Sequence, residues 1–287
     1  MLRRLVVFSG LLLAGWLWFV WPPPAWYRWA WPRETAFMSM RRAEDHEAVE
    51  RGKKKGPVSE RSYAPVALAR IAPVMKAAVL VGEDHRFYEH AGIDYVEFRH
   101  ALGYRPDDFF WGNARHRAEL WRALRGVWSR RHKVRGASTI TQQLAKNLYL
   151  SSSRNPLRKI KEALLAWRLE YWLGKDRILE LYLNVVEFGP GVWGVEAAAK
   201  KYFGKSASRL SPEEAAALAG TLPFPRSSNP GYRPGRMRWR QSMILRRLRG
   251  ENVEIPKEAP TDSVRPDSVA PDTLAREEGG GKREEGP

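Results

Sequence analysis

The sequence contains no cysteine. That excludes disulfides, thiolate chemistry and any zinc site held by sulfur, and it suits an oxidising exterior. Acidic residues are the minority: 32 Asp and Glu stand against 49 Lys and Arg, a net charge of +17. Such a surplus favours anionic partners, whether nucleic acid, phospholipid headgroups or a phosphorylated substrate. Nucleic acid is the first suggestion of a pI near 10.3. Zinc-finger spacing and the aromatic signature of RNA-binding sheets are both missing, however, and one end of the chain argues for a membrane instead. No internal repeat is visible, and no strand-like run rivals the helical ones. Apolar residues are not lacking. At 44% they suffice for a core and exclude global disorder. A length of 287 residues suits one sizeable catalytic domain with appendages, or two small domains.

Long apolar runs are scarce too. The one that stands out follows Arg3 and Arg4 and extends from Leu5 to Trp21. As a helix it reaches roughly 25 Å, a little short of a bilayer's hydrocarbon core. Trp16, Trp18, Trp21, Trp26, Trp29 and Trp31 crowd its outer end, as interfacial aromatics do. Small residues of a signal-peptide cleavage site are missing, because the run continues into Trp21-Pro22-Pro23-Pro24. Residues 1–25 therefore read as an uncleaved anchor with a cytoplasmic N-terminus. Residues 26–62 read as a polar linker, centred on Lys53-Lys54-Lys55. Residues 63–250 carry helical periodicity. Residues 251–287, rich in Pro, Glu, Asp and Gly with few aromatics, read as a disordered tail.

Within the helical region, Pro73 opens an apolar helix that leads to Glu83, and the spacing predicts a second helix over 138–150. Asn155-Pro156 looks like the start of a third, ending near Leu173 before Gly174. A fourth runs from Asp176 to about Val186. Glycines 189, 191 and 194 mark a turn before Val195–Phe203. Ser211-Pro212-Glu213-Glu214 is a capping box, and a basic helix closes the region over about 236–249.

Three stretches carry chemistry. Glu83-Asp84-His85-Arg86-Phe87-Tyr88-Glu89-His90 puts acids at the end of an apolar helix, which suits a carboxylate at the lip of a cleft or a solvated helix end. His85 and His90 have no matching cluster elsewhere that would make a metal site. Ser138-Thr139 begins a helix whose outward N–H groups favour an anion, and Gln142, Gln143, Lys146 and Asn147 add polar groups. Residues 143, 146 and 147 share a face, which is either a cleft wall or an ordinary polar surface. Arg154, Arg158, Lys159 and Glu162 are either surface ion pairs or a cationic nest for phosphate with a carboxylate inside it.

These stretches stand in order as EDHRFYEHAGID at 83–94, GASTITQQLAKNLYL at 136–150 and RKIKE at 158–162. ILELYLNVVEFGPGVWGVEAAAKKYFGK at 178–205 and LSPEEAAALAGTLPFPRSSNP at 210–230 follow. Together they resemble the peptidoglycan glycosyltransferases of family fifty-one, the transglycosylase module of class A penicillin-binding proteins. The resemblance covers roughly residues 65–249 and is closest to monofunctional members. The stretch from about Gly103 to Lys133, with Trp111, Trp121 and Trp128, is longer than the family pattern.

The resemblance implies a mainly α, lysozyme-like glycosyltransferase domain behind a single N-terminal transmembrane helix. It implies that Glu83 is the general base and Glu162 the second essential carboxylate. Lys146, Arg154, Arg158 and Lys159 would lie near the lipid pyrophosphate, and Ser138, Gln142, Gln143 and Asn147 would line the cleft. Lipid II and the nascent glycan strand would be substrates, with membrane lipids, penicillin-binding transpeptidases and cell-division proteins as partners and no nucleic acid. No cofactor or protein-held metal is required; a divalent cation, Mg or Mn, would sit on the substrate pyrophosphate. The location implied is the bacterial inner (plasma) membrane, with the catalytic domain periplasmic.

Overall fold

The computed structural model describes residues 2–19, 24–53, 56–101, 109–125, 138–149, 157–253 and 255. Its α-helices are α1 (Leu2–Phe19), α2 (Ala36–Glu50), α3 (Pro73–Glu83), α4 (Tyr95–Ala101), α5 (Ala114–Arg125), α6 (Ile140–Tyr149), α7 (Leu157–Trp172), α8 (Lys175–Val185), α9 (Val195–Phe203), α10 (Pro212–Thr221) and α11 (Gly235–Leu248). The mainly helical expectation holds, and most of these boundaries fall within two residues of those read from periodicity. The small sheet escaped that reading. Its strands are β1 (Ser62–Tyr63), β2 (Glu187–Gly189) and β3 (Val192–Trp193), ordered β1-β3-β2. Strands this short offer no period to read, and β1 pairs with β3 across 130 positions.

Two helical groups meet in one core. On one side α3 packs with α10 and α11; on the other α6 packs with α2, α7 and α8. Met75, Val79, Phe87, Ile140, Leu144, Leu169, Ile178, Tyr182 and Leu218 are buried between them. Burial of each such side chain contributes about 1.5–3 kcal/mol. Local signals fix where the helices begin. Pro73 supplies the first turn of α3. Ser211 and Glu214 form the reciprocal capping box of α10. The turn between β3 and α9 needs Gly194, which has φ +81°; a Cβ there would lie 2.4 Å from the Asn184 carbonyl oxygen. The side chain of Asn184 exchanges hydrogen bonds with both Val66 backbone groups, at 2.8 and 2.9 Å, so α8 clamps the segment that leads into α3.

The polar-linker reading of residues 26–62 fails for Thr35–Glu50. Thr35 caps α2 by accepting from Met38 N–H at 3.1 Å, and Met38 is buried against the core. Seven charged or histidine side chains disguise α2, which meets the apolar core through Phe37 and Met38 and also buries Asp45. The run expected to be an anchor does form a helix, α1. Among the described residues, no helix is long and apolar enough to cross a membrane by itself. Val20 and Trp21, the end of the apolar run, lie outside them, as does the tail beyond Ile255.

A candidate active site around two carboxylates

Glu83 ends α3 and is buried. Arg240 of α11 donates to one of its oxygens at 3.0 Å, and Gln143 of α6 donates to the other at 2.9 Å. The Gln143 side-chain carbonyl in turn accepts from the Tyr182 hydroxyl of α8 at 3.0 Å. Arg240 is fully buried and also donates to the Gly82 carbonyl at 2.8 Å. Burial pulls its guanidinium below the usual arginine range, opposed by Glu83 and Tyr182. Tyr182 is pushed well above a normal tyrosine by burial, with the charges of Glu83 and Asp84 adding. A ladder of three helices thus fixes one carboxylate. Its four lone-pair sites are only partly used, so it keeps acceptor capacity for an incoming hydroxyl.

Asp84 sits beside it with a different task. One of its oxygens accepts from Ile140 N–H at 2.9 Å, at the open start of α6, and His90 bonds the other at 3.0 Å. Thr139 and Gln142 complete that start with a reciprocal box, each side chain meeting the other's backbone N–H at 3.1 Å. The Thr139 hydroxyl also reaches the Gly92 carbonyl at 2.6 Å. The first and second chemical stretches are therefore bolted together by backbone-directed bonds. Asp84, His90 and Asp94 place one potential ligand atom each within 4.8 Å of one another. All three already have structural work, since Asp94 accepts from Val96 and Glu97 N–H at the start of α4.

The second carboxylate, Glu162 of α7, is also buried. Arg158 donates to one of its oxygens at 2.9 Å and Lys159 to the other. Lys159 further donates to the Ser138 hydroxyl at 2.9 Å. Lys146 of α6 belongs to the same field. Burial lowers its ammonium below the usual lysine range; Glu162 opposes that, while Arg158, Lys159 and Arg41 add to it. Gln143 and Lys146 stand three residues apart on α6, so one helix face addresses both carboxylates.

The expected residues divide clearly. Glu83 and Gln143 meet, as do Ser138, Lys159, Arg158 and Glu162, with Lys146 close by. Gln142 and Asn147 are turned into the fold instead. Gln142 closes the box at the start of α6, and Asn147 donates to the Gln143 backbone carbonyl at 2.9 Å. Arg154 lies outside the described residues. Sequence reasoning misses Arg240, which falls in the basic helix over 236–249. The signal was present: Met237, Arg240 and Ile244 follow apolar-face spacing, and all three are buried.

The family described as Transglycosylase matches residues 51–106 and 107–249. The biosynthetic peptidoglycan transglycosylase of Bordetella pertussis is 42% identical over 231 residues, 80% of this chain and 84% of that protein. A protein of the same name from Azoarcus sp. is 38% identical over 249 residues, 83% of this chain and 94% of its own. Another, from Laribacter hongkongensis, is 36% identical over 258 residues, 88% of this chain and 97% of its own. The chain belongs to the transglycosylase family and is an enzyme of the glycosyltransferase class.

Proposed function

We propose that the protein is a peptidoglycan glycosyltransferase of cell wall synthesis, which polymerises lipid II into β-1,4-linked glycan and releases undecaprenyl pyrophosphate. The observation that carries this reading is the unlike setting of the two carboxylates, Glu83 on a buried hydrogen-bond ladder and Glu162 within a cluster of cations. Glu83 takes the proton of the acceptor sugar's 4-hydroxyl as that oxygen bonds to the donor's anomeric carbon. The bond from that carbon to the phosphate oxygen breaks, and the electron pair leaves with pyrophosphate. Lys146, Arg158 and Lys159, joined by Arg154, stabilise the charge that grows there. Glu162 spaces these cations, and Ser138 orients Lys159. A glycan-cleaving hydrolase needs the acid or base but has no use for this cluster. The relatives' name, biosynthetic, agrees with synthesis. A mainly helical domain also fits the lysozyme-like architecture of the family.

Where a divalent cation takes part, it rides on the substrate's pyrophosphate, because both oxygens of Glu162 are already engaged by Arg158 and Lys159. Residues 1–25 serve as a single-pass anchor with the N-terminus cytoplasmic and the catalytic domain periplasmic, on the strength of Arg3, Arg4 and the apolar helix α1. Exposed aromatics at Phe110, Trp111 and Trp121, and an exposed stripe of Ile160, Leu164, Trp167 and Tyr171 along α7, suit contact with lipid. Transpeptidases and cell-division proteins are the partners this role calls for. Incubating the purified full chain with lipid II, on a gel that resolves glycan polymers, tests the reading. Polymer is expected; cleavage of preformed glycan without polymer would reverse it.

A further inference from the structure

Helix α2 lies before the segment that matches the family, which begins at residue 51. It nevertheless packs along α6 and reaches the cation cluster. The Lys146 ammonium lies 5.3 Å from the centre of the Phe37 ring, and the Arg41 guanidinium lies 4.8 Å from the same ring. A ring face attracts a cation electrostatically, and the contact strengthens where water is excluded. Phe37 is itself fixed edge-on against the buried Trp193 of β3, with centroids 6.1 Å apart and planes at 86°. Arg41 is fixed too. It pairs with Glu44 at 2.8 Å and with the buried Glu187 at 3.3 Å, and Arg226 reaches the other oxygen of Glu187 at 3.7 Å. Neither Phe37 nor Arg41 is free to leave Lys146 without disturbing β2 or β3.

We propose that α2 is part of the catalytic centre and that Phe37 and Arg41 are positioning residues for Lys146. This rests on the reading of Lys146 as a cation for the pyrophosphate. Phe37 gives the long lysine stem one face to lie against and shields it from water. Arg41, over the same ring, adds like charge, so the ammonium is directed toward Glu162. The charged groups facing Lys146 are thus Arg41 from α2 and Arg158, Lys159 and Glu162 from α7. From α8, Tyr182 meets the same helix through Gln143.

The test uses the full chain as wild type, Phe37→Leu, Phe37→Trp, Arg41→Met and Arg41→Lys. One readout is initial polymerisation rate against lipid II concentration and pH. The other is the pH dependence of Lys146 acetylation by acetic anhydride, mapped by mass spectrometry, which needs no activity. Phe37→Leu is expected to lower kcat roughly tenfold with a smaller change in KM, since a misplaced cation costs the reacting geometry. Phe37→Trp keeps a ring and recovers most of the loss. The wild-type Lys146 ammonium loses its proton below the ordinary lysine pH because of burial and the neighbouring charges. Arg41→Met removes one of those charges, so both the alkaline fall in kcat and the acetylation curve move to higher pH. Arg41→Lys leaves them in place. Folded variants of Phe37 and Arg41 with wild-type kcat and an unmoved acetylation curve would overturn the proposal. Should Phe37→Leu fail to fold, the half-buried Arg41 pair decides. Full turnover in Lys146→Ala would instead sink the pyrophosphate reading, and the acetylation curve would still judge the positioning.

Discussion

Glu83 and Glu162 are both buried carboxylates, yet they are held in opposite ways. Glu83 draws its partners from 60 and 157 residues away, through helices that also build the core. Glu162 draws its partners from three and four residues away on its own helix. Arg240 beside Glu83 is fully buried, whereas the Arg158 and Lys159 side chains beside Glu162 are 31% and 51% exposed. The first centre couples chemistry to folding. The second keeps the two nearly separate, because Arg158 and Lys159, the cations bonded to Glu162, stay partly exposed to solvent.

Breaking each centre should therefore cost different things. Arg240→Met leaves the Glu83 carboxylate buried without its cation, and a broken buried pair typically costs about 3–5 kcal/mol. Denaturant unfolding should register that loss, and turnover should fall with it. A variant as stable as wild type would mean that Glu83 is not held as described.

Glu187 offers an intermediate case. Burial pushes its carboxyl up to about 7, against the opposing pull of Arg41 and Arg226 and with Asp45 and Glu44 adding to the rise. Because the folded value exceeds the unfolded one, the native state keeps a proton that the unfolded chain releases. Its contribution is fully present below pH 4.5 and is lost as pH rises through about 7. Glu187→Gln removes that dependence. Between pH 5 and 8 the variant should gain on wild type by roughly 2 kcal/mol. Parallel stability curves would show that Glu187 is not protonated in the native state.

Arg158→Met should destabilise least, by less than about 1 kcal/mol, because its ion pair is partly exposed and local. Its turnover should nevertheless fall roughly 10²-fold, as for the loss of one preorganised donor. Unfolding and rate measurements on one sample check both halves. A large loss of stability, or an unchanged rate, would erase the contrast between the two centres.

The same contrast explains what could be read from the chain. Glu162, Arg158 and Lys159 were legible because helical spacing alone brings them together, and the structure pairs them as that spacing requires. The capping box of Ser211 and the start of α3 at Pro73 were legible for the same local reason. Arg240 was not, since nothing short-range connects it to Glu83; only its place on an apolar face hinted at burial. Gln142 carries two signals at once. Its motif position suggested a cleft, while its spacing from Thr139 made it the closing member of a box at the start of α6. The helix α2 was lost to composition, because its charged residues outnumber the few side chains that bury it.

The central claim is that Glu83, locked on its ladder, is the base for the acceptor hydroxyl. The most direct measurement is the initial rate of lipid II polymerisation by Glu83→Gln beside wild type, with lipid II binding followed on the same preparations. The glutamine keeps an acceptor for Arg240 but cannot take a proton. A loss beyond about 10²-fold in rate, with binding retained, is the expected result. Near-normal turnover in the folded variant would remove Glu83 from the mechanism.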